Sequence, residues 1–215
     1  MDGVFIRRYQ KEDRDAVRSI AWDTAFIGEP ADAFFEDREI LTDFLTKYFT
    51  DYEPDSCFVA EANREVIGYL IGAKDADLLN NVFLNRIIPK LLVKAIISGF
   101  ILKKKNMVFI FRCLASFIKG GFRDPDFSER YPAVLHINLR EGFRNLGIGS
   151  RLIWACLDYF TKEKIAGVRL ATMSNKAKDF FNQQGFETLY KGQRSYFNYI
   201  LHRDVPIYIL GKRLR

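Results

Sequence analysis

The stretch that most constrains this chain runs from Ala133 to Lys162. An apolar run, Ala133-Val134-Leu135-His136-Ile137-Asn138-Leu139, reads as a strand. Alternation puts His136 and Asn138 on one face and Leu135, Ile137 and Leu139 on the other. The chain then passes through Arg140 to Leu146 into Gly147-Ile148-Gly149-Ser150. Beyond the glycines, Leu152, Ile153, Cys156, Leu157 and Phe160 recur along one side of a helix. Glycine at a strand-to-helix junction tolerates positive φ and lets a ligand approach the backbone with no Cβ in the way. The free amides of the first helical turn point outward there, and the helix dipole favours an anion. Strand, glycine turn and helix start together predict a phosphate cradle. A glycine-rich helix start with no ligand is the bland alternative. A Walker A loop is excluded because no Gly-Lys-Ser/Thr occurs, and Leu152 stands where a dinucleotide fingerprint needs its third glycine.

The spacing Arg144-x-x-Gly147-x-Gly149 resembles the pyrophosphate-binding signature of the GNAT superfamily of acyl-CoA-dependent N-acyltransferases. Other segments resemble the same family. Ile6-Arg7-Arg8-Tyr9, followed by Glu12-Asp13 and a helical pattern, is similar to its N-terminus. Phe58-Val59-Ala60-Glu61 and Val66-Ile67-Gly68-Tyr69 look like its paired central strands. Tyr131 to Leu139 is similar to a subgroup that includes the acetyltransferase-like domains related to O-GlcNAc hydrolases. Ala177-x-x-Phe180-Phe181-x-x-x-Gly185-Phe186 resembles the second family signature with two departures. Ser174 takes the usual Asn position, with Asn175 one place late, and Phe181 stands where Tyr is usual. The resemblance implies an α/β (α+β) fold, a mixed and mostly antiparallel sheet flanked by helices, in one domain spanning residues 1–215.

Local patterns place the remaining elements. Val4 to Arg8 reads as a first strand, followed by a helix carrying Ala16, Val17, Ile20 and Ala21. Asp32 to Tyr52 reads as a second helix, opened by Pro30 and stopped at Glu53-Pro54-Asp55. Ser56 to Ala62 and Val66 to Gly72 read as a hairpin. Gly167 is expected to end the helix after the glycine loop. Val168 to Thr172, Phe186 to Tyr190 and Val205 to Leu210 read as strands, with a helix from Asn175 to Gln184.

The family needs only a short link before the glycine-loop strand, whereas this chain inserts a segment at about 74–130 that reads as two or three helices. The chain's net charge is +6, yet Leu78 to Arg123 alone holds nine Lys or Arg and no acid, leaving −3 elsewhere. The basicity therefore belongs to the insertion. Three readings compete for it: a helical cap forming part of the acceptor pocket, a homodimer interface, or an amphipathic element for a membrane surface. Its uncharged runs are too short to span a bilayer, so no transmembrane segment is expected. Nucleic acid is disfavoured because no recognition-helix or Gly/Ser/Arg-rich pattern accompanies the charge.

Three widely spaced cysteines, Cys57, Cys113 and Cys156, argue against a disulfide framework and a zinc site, and for a reducing compartment. Only two histidines occur, so no metal centre is expected. The start, Met1-Asp2-Gly3-Val4, lacks a signal peptide's basic and apolar regions, which predicts a cytoplasmic protein.

The resemblance implies acetyl-CoA as cosubstrate and a small-molecule or peptide amine as acceptor. It assigns pantetheine pairing to Ile137 and Leu139 and the loop role to Arg144, Asn145, Leu146, Gly147, Ile148, Gly149 and Ser150. Asn175 and Phe181 fall in the second signature's cofactor positions. The family often draws its thiol acid from the residue that is Phe181 here, which cannot serve; Tyr196 is the chosen substitute, with Tyr190 and Tyr199 as alternatives. His136 is the chosen base by titration range and position, with Glu61 acting through water as the alternative. A non-catalytic acyl-CoA-binding protein is the competing reading, motivated by Phe181.

Overall fold

Seven strands, β1 (Val4–Arg8), β2 (Cys57–Ala62), β3 (Glu65–Ala73), β4 (Ala133–Leu139), β5 (Gly167–Thr172), β6 (Glu187–Arg194) and β7 (Val205–Arg213), form one sheet in the order β1-β2-β3-β4-β5-β7-β6. The computed structural model describes residues 3–214. Met1 and Asp2, half of the start read as lacking a signal, and Arg215 lie outside it. Every neighbouring pair is antiparallel except β4–β5. The β2–β3 turn holds Asn63 and Arg64 at φ of 51° and 65°, the left-handed pair that a two-residue hairpin demands.

Helices cover both faces. α6 (Ile148–Lys162) and α7 (Asn175–Gln183) pack on one, where Leu152, Ile153, Cys156 and Phe160 meet Phe58, Leu70 and Leu135 in a buried cluster. α1 (Arg14–Thr24) and α2 (Arg38–Tyr52) cover the other, where Val17 and Ile20 bury Tyr69 and Ile71. Three helices of the insertion, α3 (Ala76–Val82), α4 (Ile88–Ile97) and α5 (Lys104–Ile118), lie on this second side, and a short α8 (Asn198–Leu201) precedes β7.

The insertion is fastened to the start of α2. Lys94 reaches Glu39 at 3.3 Å and Asp43 at 3.1 Å, and Lys103 reaches Asp37 at 2.8 Å. The Asn106 carboxamide oxygen accepts from the Glu36 amide at 2.7 Å. Asp37 also caps α2, accepting from the Ile40 amide at 3.2 Å and from the Ser98 hydroxyl at 2.9 Å. Asp37→Ala therefore removes a helix cap and a partly buried ion pair at once. Its expected cost is about 2 to 3 kcal/mol, measured by urea unfolding.

Two local expectations are corrected. The helix over Asp32 to Tyr52 does not begin until Arg38, after a separate turn at Ala31–Ala33. Phe34 and Phe35 leave the helical path to pack at a tilt against Phe109 and Phe100 from the insertion, so tertiary aromatic packing overrides local periodicity. Gly167 does not end α6; it opens β5. A Cβ there would lie 2.6 Å from the Arg130 carbonyl oxygen and 3.2 Å from that of Lys212, so backbone on both sides requires glycine. The last two strands also run past their expected ends, to Arg194 and Arg213.

Candidate functional site

Parallel pairing between β4 and β5 is limited to Ala133 with Val168 and Val134 with Arg169. Past Val134 the two strands part. The Arg140 amide donates to the Ile67 carbonyl at 2.9 Å, so even-numbered backbone groups of β4 turn toward β3. The odd ones, including the amides of Ile137 and Leu139, then turn toward the gap. A strand edge that has lost its neighbour is a template for an extended ligand.

The turn after β4 aims α6 at the same gap. Asn145 and Gly147 take left-handed φ of 63° and 74°, and Gly147 caps α6 with no side chain. A Cβ at Gly147 would meet nothing within 4 Å, whereas one at Gly149 would lie 3.1 Å from the Phe180 ring. The first glycine leaves an open approach and the second allows close helix packing. The first-turn amides of Ile148, Gly149 and Ser150 receive no side-chain cap, and 15 residues of aligned peptide dipole stand behind them. An anion is the natural complement.

Arg144 contributes differently from a phosphate-facing cation. Its Nη2 donates to the Gly28 carbonyl at 2.7 Å and its Nε to the Leu139 carbonyl at 3.3 Å. The side chain clasps the turn to the loop after α1, so Arg144 offers a ligand its backbone. Leu146 and Asn145 are exposed, and Ser150 borders a shallow groove with Arg151 and Trp154 beside β1.

His136 lies on the opposite face of β4 from Leu135, as its alternation predicts. Tyr69 and Asn138 share that face: the Asn138 amide nitrogen lies 2.8 Å from the Tyr69 hydroxyl and 3.0 Å from His136 Nε2. One amide can donate to both, leaving Nδ1 of the imidazole as the protonated nitrogen. The His136 side chain is exposed on this face, and the protein around its ring partly desolvates it and pushes its pKa down, to about 4. A lowered pKa leaves the imidazole neutral at pH 7. Asn138 was missed as a site residue, although its place on the His136 face was legible.

Tyr196 is buried, stacked on Phe122 from the insertion, and its hydroxyl lies 3.5 Å from Met173 Sδ just past the end of β5. Burial raises its pKa to about 12, so it holds its proton. Val134 packs into the same cluster, which puts Tyr196 on the His136 side of the sheet beside the gap. The alternatives are placed less well. Glu61 is held by Arg7 at 2.8 Å, Tyr190 lies on the edge strand β6, and the buried Tyr199 hydroxyl has no hydrogen-bond partner among the described residues. Phe181 turns into the core against Phe186 and Phe180, and so braces the ring that meets Gly149. Ser174 caps α7, freeing the Asn175 side-chain oxygen to accept from the Tyr208 hydroxyl at 2.7 Å.

A model of the Acetyltransferase (GNAT) family matches residues 14–186. The chain belongs to the GNAT family. It is thus an acyltransferase by family, and its cosubstrate class is acetyl-CoA. Similar solved structures share the fold of the whole GNAT chain at low identity. SsHAT is 19% identical with a TM-score of 0.70, covering 98% of both chains. A polyamine N-acetyltransferase from Drosophila melanogaster, which forms N-acetylagmatine, is 12% identical with a TM-score of 0.62, covering 98% of this chain and 100% of that one. YncA from Salmonella typhimurium, a structure holding acetyl-CoA, is 14% identical with a TM-score of 0.60, covering 100% and 95%. No curated protein matches the chain in sequence. The open Gly147, the uncapped α6 amides and the freed edge of β4 fit the diphosphate and extended arm of this cosubstrate.

Proposed function

We propose that this GNAT chain moves an acetyl group from acetyl-CoA to a primary amine by direct attack in a ternary complex. The observation that carries the reading is the parting of β4 from β5 directly above the uncapped, glycine-started α6. Ile137 and Leu139 would pair with the extended arm. The backbone from Arg144 to Ser150 would hold the diphosphate, with Asn175 and Phe181 bracing α7 beneath it. Bound there, acetyl-CoA supplies an activated thioester whose thiol, of pKa about 8.5, leaves readily.

The chain's own work is positioning and proton handling. Holding both reactants in one geometry accounts for at most about 7 to 11 kcal/mol of the barrier. An amine of pKa about 10 arrives protonated and must lose its proton before attack. His136, neutral at pH 7 and facing the α1–α2 side, takes that proton, with Asn138 fixing its tautomer. Tyr196, protonated throughout the working range, gives its proton to the departing thiolate in place of the phenol absent at Phe181, and takes one back, the second proton that the nitrogen sheds as the intermediate collapses to the amide.

His136→Gln is expected to lower kcat/KM by about 100-fold or more while leaving acetyl-CoA affinity in place. The native acid limb should lie below pH 6, since the imidazole is depressed, not raised. Stability follows the same shift. Below pH 6.5 the unfolded chain binds more protons at this position than the folded one, so stability falls as the pH is lowered, by an amount that the exposure of His136 reduces. Urea titrations at several pH values should show a shallower fall in the Gln variant. The reaction order is tested by intact mass after incubation with acetyl-CoA alone and by initial rates with an amine. An unshifted mass with intersecting rate lines supports direct attack; an acetylated protein with parallel lines contradicts it. Acetyl-CoA binding with no release across an amine panel would favour the non-catalytic reading that Phe181 motivates.

A further inference from the structure

The insertion turns apolar side chains outward where a folded surface ordinarily scatters them singly. On α4, Ile96 and Ile97 are 78% and 80% exposed, and Leu102 in the following link is 87% exposed. On α5, Phe111, Phe117 and Ile118 are 71%, 66% and 74% exposed. Phe111 and Ile118 are seven residues apart and share one stripe with Leu114, which is also exposed, while Phe117 flanks it on the next turn of the surface. Arg112 and Lys119, also seven apart, run a basic row beside it. The opposite face of α5 carries Phe109, Cys113 and Ser116 inward, so the helix already has its core side and the outer stripe is additional to it.

Charge decides what covers this face. Of the nine cations from Leu78 to Arg123, Lys94 and Lys103 pair with carboxylates of α2 and its cap. The other seven make no ion pair among the described residues. A second copy on a two-fold axis would set these cations against their own images, since the segment has no acid to answer them. Protein interfaces also exclude lysine from their centres. Anionic lipid meets both requirements: headgroups take the basic row and the upper acyl region takes Ile and Phe. Among the described residues no helix is long and apolar enough to cross a membrane, so contact would be at the surface.

We propose that the outer face of α4, the link and α5 docks on an anionic phospholipid surface. The inference stands apart from the acetyl-transfer reading. It does connect to the site, because Phe109 on the inner side of α5 packs against Tyr196 with ring centroids 6.1 Å apart.

Flotation of the full chain with phosphatidylcholine vesicles, with and without phosphatidylglycerol, tests it at low and high salt. The expected result is flotation with the anionic vesicles only, weakened by salt. Arg112→Gln with Lys119→Gln should weaken partitioning by about 30-fold. Ile97→Asp with Leu102→Asp should abolish it, and both pairs, being exposed, should melt as the native chain does. Three results would overturn the proposal. One is no flotation with anionic vesicles, and another is equal flotation with neutral ones. The third is retention on polyglutamate, untouched by the Asp pair, which would point to an acidic protein instead.

Discussion

Gly147→Glu should lose acetyl-CoA binding while remaining folded. The position caps α6 at φ 74° and has no neighbour within 4 Å of an added Cβ, so a side chain there projects into the approach to the α6 amides. A carboxylate would occupy the cradle, take its own stabilisation from the dipole and repel the incoming diphosphate. Any L-residue at this φ carries about 1 kcal/mol of backbone strain, so Gly147→Ala is the matched control. Calorimetry should show affinity reduced by about 100-fold or more for Glu and by much less for Ala. Equal losses in both would make the effect one of strain and remove the case for an anion at this turn.

Phe160→Ala should carry the largest stability cost in the chain's central layer. Phe160 is fully buried on α6 and fills the hollow over β3 left by Gly72, where an added Cβ would lie 2.9 Å from its ring. No neighbour can close that space without shifting the sheet, so both transfer and cavity costs apply. The expected loss is about 3 to 5 kcal/mol by urea unfolding. Acetyl-CoA affinity should change little below the transition, because the binding turn lies at the other end of α6. A cost under 1 kcal/mol would mean that α6 does not rest on β3 as described.

Much of the frame was readable from residue order. β4 runs from Ala133 to Leu139 with the expected faces, because alternation and one-sided burial act over a few adjacent residues. The glycine turn and the start of α6 were readable for the same reason, since backbone conformation at a tight turn selects glycine locally. What escaped depends on partners distant in sequence. The Arg144 guanidinium finds the Gly28 carbonyl 116 residues away, and nothing in the motif distinguishes that clasp from a cation waiting for phosphate. Phe34 and Phe35 abandon their helix for rings of the insertion, and Phe181 turns inward onto Phe186. Periodicity could not report either choice, because aromatic burial is decided by which surface folds over it.

The insertion shows the same division. Its charge segregation was legible, but its attachment was not: Lys94 and Lys103 meet acids at the start of α2, and Asn106 satisfies an amide there. Those ties, with the aromatic layer joining Phe109 to Tyr196 and Phe197, hold the inner face of the insertion on the domain and leave its outer face exposed.

The most direct measurement is transfer of an isotopically labelled acetyl group from acetyl-CoA to members of a primary-amine panel, followed by product mass together with thiol release. The account predicts labelled N-acetyl product from at least one amine, one thiol released per product formed, and loss of both in Gly147→Glu. Thiol release with the label recovered only as free acetate would contradict it.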